Sequence, residues 1–417
     1  MKSVIISQDQ IHNLSNVDRK KQVHKLRLLK TLLAQGPQSV SDLSILLSAS
    51  TPTTNIIINE LLSDDVIMKS GYGNSIGGRK PELYTMKSDL LYILSIEMEG
   101  FSTKMAIVDN NNNIVSEIQS FPLMLSSEVN AVDILYHHAS QLVKSSAIDF
   151  DKLIGIGISI PGLVNTKHGS SYTYIISNQH LQTLQQEFED KFSRPVFMQN
   201  DVKSAALAES KLGLAKGKRD VLVLLMDWGI GLGIIMDGKL RSGTSGFSGE
   251  IGHIPFVEDG ALCYCGKRGC LETVASGIAL ARMAKEGIKS GKYSLLNELS
   301  DQEIEKIEPY VVIDAANRGD QYAINILSDI GKNLGKAIAT LIQLFNPELV
   351  ILGGRIAEAK QYITTPIQQS INMYSMAQLT ENTKIVLSNL GSDAGILGNV
   401  HTVVDKILDK QIDMILS

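Results

Sequence analysis

Two stretches of this 417-residue chain repeat one pattern, and the repetition limits the available folds more than any other feature. LLYILSIEMEGFSTKMAIVDNNNNIVSEIQSF (90–121) is strand, strand, turn at DNNNN, strand. VLVLLMDWGIGLGIIMDGKLRSG (221–243) is apolar run, Gly-rich turn, apolar run, turn at Asp237-Gly238, strand. Short apolar runs bounded by turn residues are strands. Each block precedes helical segments and a further apolar strand, LIGIGISIPGLV (153–164) after the first and LVILGGRI (349–356) after the second. Strands alternating with helices build α/β layers. An internal duplication of one α/β unit follows, giving two lobes.

Length and composition agree with several soluble units. At roughly 100–200 residues per domain, two or three are expected, and 44% hydrophobic with 20% charged residues is ordinary for globular protein. No apolar run approaches the roughly 18 residues of a membrane span. MKSVIISQDQIHNLSN turns polar too soon for a secretory signal, and three cysteines make no disulfide framework, so a cytoplasmic setting is expected. Residues 1–88 hold 11 Lys and Arg against 7 Asp and Glu, a net +4, leaving −9 on the remainder of a chain of net charge −5. A basic end on an acidic body suits a module that meets a polyanion.

The first 88 residues have their own pattern. VHKLRLLKTLL (23–33) has apolar residues at helical spacing with basic residues between. SVSDLSILLSAS reads as a second helix, capped by Ser39 or Ser41. TPTTNIIINELLSDD (51–65) reads as a third, with Pro52 in its first turn. VIMKSGYGNSIGGRKPELYTM reads as two strands around a basic, Gly-rich tip. Helix, helix, helix, hairpin is a winged helix-turn-helix, whose third helix enters the DNA major groove N-terminus first. Thr51, Thr53, Thr54 and Asn55 are then the candidate base contacts, and Arg79 and Lys80 on the wing the candidate phosphate or minor-groove contacts. The alternative is a three-helix scaffold that binds protein or nothing.

All three cysteines fall in one window. His253-x9-Cys263-x-Cys265-x4-Cys270 offers one nitrogen and three sulfurs, the donor set of a closed tetrahedral zinc site. Lys267 and Arg268 would offset thiolate charge. Redox cysteines and buried free thiols are the alternatives, although the spacing is far from C-x-x-C. With four protein ligands no position remains for a metal-bound water, which argues against metal-assisted hydrolysis. If one ring nitrogen of His253 bound zinc, the other would remain as a donor aimed at the cleft.

The two-lobed pattern resembles the actin-like (RNase H-like ATPase-type) architecture of sugar kinases. More specifically, the chain resembles the ROK family, which contains bacterial sugar kinases and sugar-responsive repressors. The resemblance rests on GISIPGLVN (157–165), QNDVKSAALAE (199–209), GIGLGIIMDGKL (229–240), GEIGH (249–253), CYCGKRGCLE (263–272), VILGGRI (350–356) and GSDAGILG (391–398). It implies a winged helix-turn-helix at 1–88, a first lobe at 89–198 to which 385–417 returns, and a second lobe at 199–384 with the zinc site. Members with the N-terminal module are mostly repressors.

The phosphate turns provide a separate test. The family's kinases have D-x-G-G-T at the first turn, where this chain has Glu97-Met98-Glu99-Gly100-Phe101. They have G-T-G-x-G at the second, where it has Asp227-Trp228-Gly229-Ile230-Gly231. Both turns lose a hydroxyl and gain a carboxylate, and like charges beside a triphosphate in a partly desolvated cleft cost several kcal/mol, of order 332/(εr) per pair. An ATP-dependent enzyme is therefore not expected. The sugar side is better kept: Gly162, Asn200, Asp201, Glu250, His253 and Glu272 suit a polyhydroxylated ligand, since carboxylate oxygens accept from hydroxyls. In the kinases the residue matching Asp201 is the general base. Lys203 replaces a common Asn and could pair with Asp201 or with an anionic group on the ligand. The expected protein is a homodimeric or homotetrameric repressor, one structural zinc per chain, that leaves operator DNA on binding a sugar or sugar phosphate. A sugar kinase with an accessory DNA-binding module and a repressor governed by a protein partner are the alternatives.

Overall fold

A computed structural model describes residues 6, 8–74, 80–125, 130–174 and 182–417. They form two compact units, Met1–Gln199 with Ile396–Ser417, and Asn200–Gly395. No helix among the described residues is long and apolar enough to cross a membrane.

The first unit begins with α1 (Gln8–His12), α2 (Asn16–Gln35), β1 (Gln38–Ser39), α3 (Val40–Leu47), α4 (Thr51–Ser63), β2 (Ile67–Tyr72) and β3 (Glu82–Met86). Serines start three of these helices. Ser15 accepts from Asp18 N, Ser39 forms a reciprocal capping box with Asp42, and Ser50 accepts from Thr53 N. Each satisfies an otherwise orphaned N–H. Leu26, Leu29, Leu43, Ile57 and Leu61 close a core between the helices, and the strands pair in the order β1-β3-β2. This is the element order of a winged helix-turn-helix.

At the start of α4, Thr51, Thr53 and Asn55 are exposed. Thr54 corrects the expectation that it contacts bases: it is 0% exposed. Its hydroxyl donates to Ser50 O at 3.1 Å and meets Ser44 Oγ at 3.1 Å, clamping α3 to α4. The helix turns about 100° per residue, so the residues from 51 to 55 cannot all face outward. Lys80 is exposed, and Arg79 lies outside the described residues.

The lobe that follows holds β4 (Tyr92–Met98), β5 (Ser102–Asp109), β6 (Gln119–Pro122), α5 (Ala131–Ser145), β7 (Leu153–Ile160), β8 (Val164–Asn165), β9 (Ser170–Ser171), α6 (Leu184–Phe192) and β10 (Val196–Asn200). Its sheet runs β10-β7-β4-β5-β6, with β4 antiparallel to β5 and parallel to β7. The second unit holds α7 (Asp201–Lys211), β11 (Val221–Met226), β12 (Ile230–Met236), β13 (Lys239–Leu240), α8 (Glu272–Ala275), α9 (Gly277–Lys289), α10 (Asp301–Glu305), α11 (Pro309–Asn317), α12 (Gln321–Phe345), β14 (Leu349–Gly353), α13 (Gln361–Tyr374), α14 (Ala377–Thr380) and β15 (Lys384–Leu387). Its sheet runs β13-β12-β11-β14-β15, with β11 antiparallel to β12 and parallel to β14. The two sheets thus share one strand plan, as the repeated sequence pattern requires.

The expected return to the first lobe at residue 385 moves to 396. Lys384–Leu387 pairs in parallel with Leu349–Leu352 and so belongs to the second sheet. The return is made by α15 (Ala394–Leu416). Gly157 of β7 lets that helix close on the sheet, because a Cβ there would stand 2.8 Å from Asn399 Cβ and O. Asn399 Nδ2 then lies 2.9 Å from Ile96 O and 3.2 Å from both Ser95 Oγ and Ser159 Oγ. Further along α15, Val403, Leu408, Ile412 and Ile415 share an apolar core with Leu26 and Leu29 of α2, and Asp409 pairs with Lys30 at 2.6 Å.

Asn399→Ala leaves Ile96 O and the two hydroxyls without that donor in a closed site. We expect a loss of about 1–3 kcal/mol of stability, read by chemical denaturation.

Candidate functional site

The second unit gathers most of the chemistry at the start of α7. Asn200 ends β10 and caps α7, its Oδ1 accepting from Lys203 N at 3.2 Å and its Nδ2 donating to Asp201 Oδ1 at 2.9 Å. Asp201 Oδ1 also accepts from Val202 N at 2.9 Å. The Asp201 carboxyl is enclosed, although the residue as a whole keeps some exposure. Burial pushes its pKa up to about 6, with the charges of Asp227 and Glu250 adding to the effect and Val202 N and Lys203 opposing it.

Glu250 precedes a 3₁₀ turn at Ile251–His253. Burial raises its pKa, and Lys203 partly offsets that. Glu272 opens α8 and is 5% exposed. Its Oε2 accepts from Ile230 N at 3.1 Å, while its buried Oε1 has no hydrogen-bond partner among the described residues. A buried carboxylate oxygen left with unused acceptor capacity is costly unless something supplies a donor. Burial holds this carboxyl at about 7, and the charges of Glu250 and Asp201 add to the shift.

The cysteine window folds as a compact turn. Cys263 N donates to Lys267 O at 2.7 Å and Gly266 N to Cys263 O at 2.9 Å. The ligand atoms of His253, Cys263, Cys265 and Cys270 lie within 4.8 Å of one another, an arrangement that can hold a metal ion. His253 Nδ1 stands 3.7 Å from Cys263 Sγ, and Cys265 Sγ 3.6 Å from Cys270 Sγ. The second ring nitrogen departs from its expected role as an open sugar donor: Nε2 meets the Tyr264 hydroxyl at 3.0 Å. Tyr264 sits between two of the cysteines, so its closeness to the site was legible in the spacing, though its partner was not.

Asn200, Asp201, Glu250, His253 and Glu272 therefore all fall in the second unit. Gly162, the remaining expected sugar residue, belongs to the first unit. There its φ of 79° and the Thr173 side chain, 2.6 Å from a hypothetical Cβ, already require glycine. Asp227 joins the charge cluster through Asp201.

Both turns that differ from the kinase pattern are engaged in their own contacts. In the first, Glu99 pairs with Lys104 at 2.7 Å and accepts from Ser102 Oγ at 2.8 Å. In the second, Asp227 O accepts from Gly277 N at 2.7 Å, Trp228 O from Ile278 N at 3.1 Å, and Trp228 N donates to Asp227 Oδ1 at 2.9 Å.

A sequence model of the ROK family matches residues 93–406. The xylose repressor of Caldicellulosiruptor bescii is 29% identical over 392 residues, covering 93% of this chain and 97% of its own. A glucokinase of Halalkalibacterium halodurans is 32% identical over 321 residues, covering 75% of this chain and 94% of its own. A solved ROK family transcriptional regulator, a homologue of the E. coli MLC protein, superposes with a TM-score of 0.77 at 26% identity, covering 96% of this chain and 99% of that one.

Asp201 yields a signed prediction. Its folded pKa of about 6 exceeds the ordinary 3.8, so the folded state holds the proton more tightly than the unfolded chain. The resulting stabilisation is present at low pH and is lost as pH rises through about 6. Asp201→Asn should therefore raise the thermal midpoint at pH 7.5, by the equivalent of about 3 kcal/mol at most, and leave it nearly unchanged at pH 3, below both values. Equal effects at both pH values would contradict the assignment.

Proposed function

The chain belongs to the ROK family, and from that premise we propose that it is a sugar-responsive transcriptional repressor. The observation that carries this reading is the N-terminal module, helix-helix-helix-hairpin, with Thr51, Thr53 and Asn55 exposed at the start of α4. Small polar side chains there can reach base edges, while Lys80, with Arg79, supplies phosphate contacts. The similarity to a xylose repressor takes in 93% of the chain, whereas that to a glucokinase takes in 75%.

In this reading the ligand is a sugar held by Asn200, Asp201, Glu250 and Glu272, all of the second unit, while His253 serves the metal. Without a phosphoryl donor, Asp201 accepts hydrogen bonds from hydroxyls and removes no proton. The chain is then not an enzyme: carboxylates stand in both phosphate turns, where Glu99 is paired with Lys104 and Asp227 accepts from Trp228 N. A homodimer or homotetramer would present paired α4 helices to half-sites about 34–36 Å apart. Release requires the sugar to bind the two conformations unequally.

The metal in this reading is zinc. With zinc–sulfur bonds of about 2.3 Å, tetrahedral geometry places neighbouring sulfurs about 3.8 Å apart, and 3.6 Å separates Cys265 Sγ from Cys270 Sγ. His253, Cys263, Cys265 and Cys270 would hold it, and its role would be structural, fixing the turn that leads into Glu272.

Fluorescence anisotropy with operator DNA, isolated by selection on the purified protein, tests the repressor reading. Asn55→Ala and Thr53→Ala should each weaken binding by roughly 5- to 100-fold, and a sugar from a broad panel should release the DNA. A coupled assay with ATP should show no turnover with any hexose. Turnover abolished by Asp201→Asn would favour the kinase alternative. For the metal, elemental analysis should find about one zinc per chain, with Cys265→Ser or chelation lowering both zinc content and thermal midpoint. Values far below one in untreated protein would remove zinc.

A further inference from the structure

Lys203 lies in the first turn of α7 and is 2% exposed. A lysine that deeply buried is tolerated only where its donors are used and its charge is compensated. Its Nζ donates to Gly246 O at 2.6 Å. Burial lowers its pKa, and the charges of Glu250 and Asp201 raise it again. The side chain is thus not extended toward a ligand. It ties α7 to the loop at residues 242–249.

That loop leads directly into Glu250 and has a second anchor. Gly249 O accepts from Leu232 N at 3.1 Å. Gly249 has a φ of 86°, and a Cβ there would lie 1.9 Å from Leu232 O, so the backbone sits hard against β12. Glu250 therefore follows a segment fixed at Gly246 by Lys203 and at Gly249 by the strand.

We propose that Lys203 is a positioning residue that anchors this loop and offsets the charge between Asp201 and Glu250, so that the site takes an uncharged sugar and disfavours a sugar phosphate. The inference rests on the sugar-site reading above and deepens it. The charges of Asp227 and Glu250 act on the Asp201 carboxyl. A phosphate dianion would add to that repulsion, and the nearby ammonium is enclosed and committed to a carbonyl. Sugar hydroxyls supply the donors that carboxylate oxygens need. Lys203 neutralises part of the cluster from beneath without touching the ligand.

Calorimetric titration of the full chain tests this, using D-xylose, D-glucose, N-acetyl-D-glucosamine and the 6-phosphates of the last two. At least one neutral sugar should bind ten-fold or more tightly than any phosphate. Lys203→Met should weaken that sugar about ten-fold or more. It should also raise the pH at which affinity begins to fall by about half a unit or more, because Asp201, facing Asp227, Glu250, Glu272 and Val202 N, loses the opposing charge of Lys203. Lys203→Gln, which keeps a donor but no charge, should show the same pH shift with a smaller loss of affinity. Tighter binding of a phosphate overturns the inference, as does a Lys203→Met protein with unchanged affinity and pH profile. If Lys203→Met fails to fold, the comparison of neutral and phosphorylated sugars on the unaltered protein still decides. Binding by none of the five compounds would overturn the sugar-site reading itself, and the inference with it.

Discussion

The second unit depends on a strand with one face stripped of side chains. Gly229 just precedes β12, and Gly231 and Gly233 lie within it, at alternate positions and so on one face. A Cβ on Gly231 would stand 2.2 Å from Val202 Cγ2, and one on Gly233 would stand 2.4 Å from Ala206 Cβ. A Cβ on Gly229 would come within 2.8 Å of Glu272 Oε2. The bare face lets α7 and Glu272 settle against the sheet. Asp201, Lys203 and Glu272 stand where they do because β12 leaves room for them.

The first unit uses the same device on a different strand. Gly157 admits α15, and Asn399 then bonds across the gap to β4 and β7. One duplicated strand plan has thus been specialised twice. In the first unit close approach seats the helix that shares a core with the N-terminal helices. In the second it seats the helix that carries the carboxylate and ammonium pair. The glycine-rich turn, which resembles a phosphate cradle in sequence, serves packing.

Charge explains why this packing is conditional. Several carboxylates and one ammonium share a small volume, and burial raises the pKa of Asp201, Glu250 and Glu272. Such a set is stable only where each group has a partner, and Glu272 Oε1 is a buried acceptor without one among the described residues. The cysteine turn sets the position of Glu272 from one side, and the bond from Ile230 N sets it from the other.

The sequence alone determined a good deal. The repeated strand pattern dictated two sheets of one plan, Ser39 dictated a helix start, and the spacing of His253 and the three cysteines dictated a four-donor cluster. These are local properties, set by neighbours a few residues apart in the chain. Tertiary structure decided the rest. Thr54 faces inward because helical rotation and the Ser44 hydroxyl leave it no other course. The chain returns at 396 because Lys384–Leu387 finds its pairing partner in β14. Lys203 is an internal anchor because Gly246, 43 residues away, brings a carbonyl to its ammonium. Contacts between residues so far apart depend on which backbones can approach closely, and that is settled only when the glycine faces and the helices that fill them have packed.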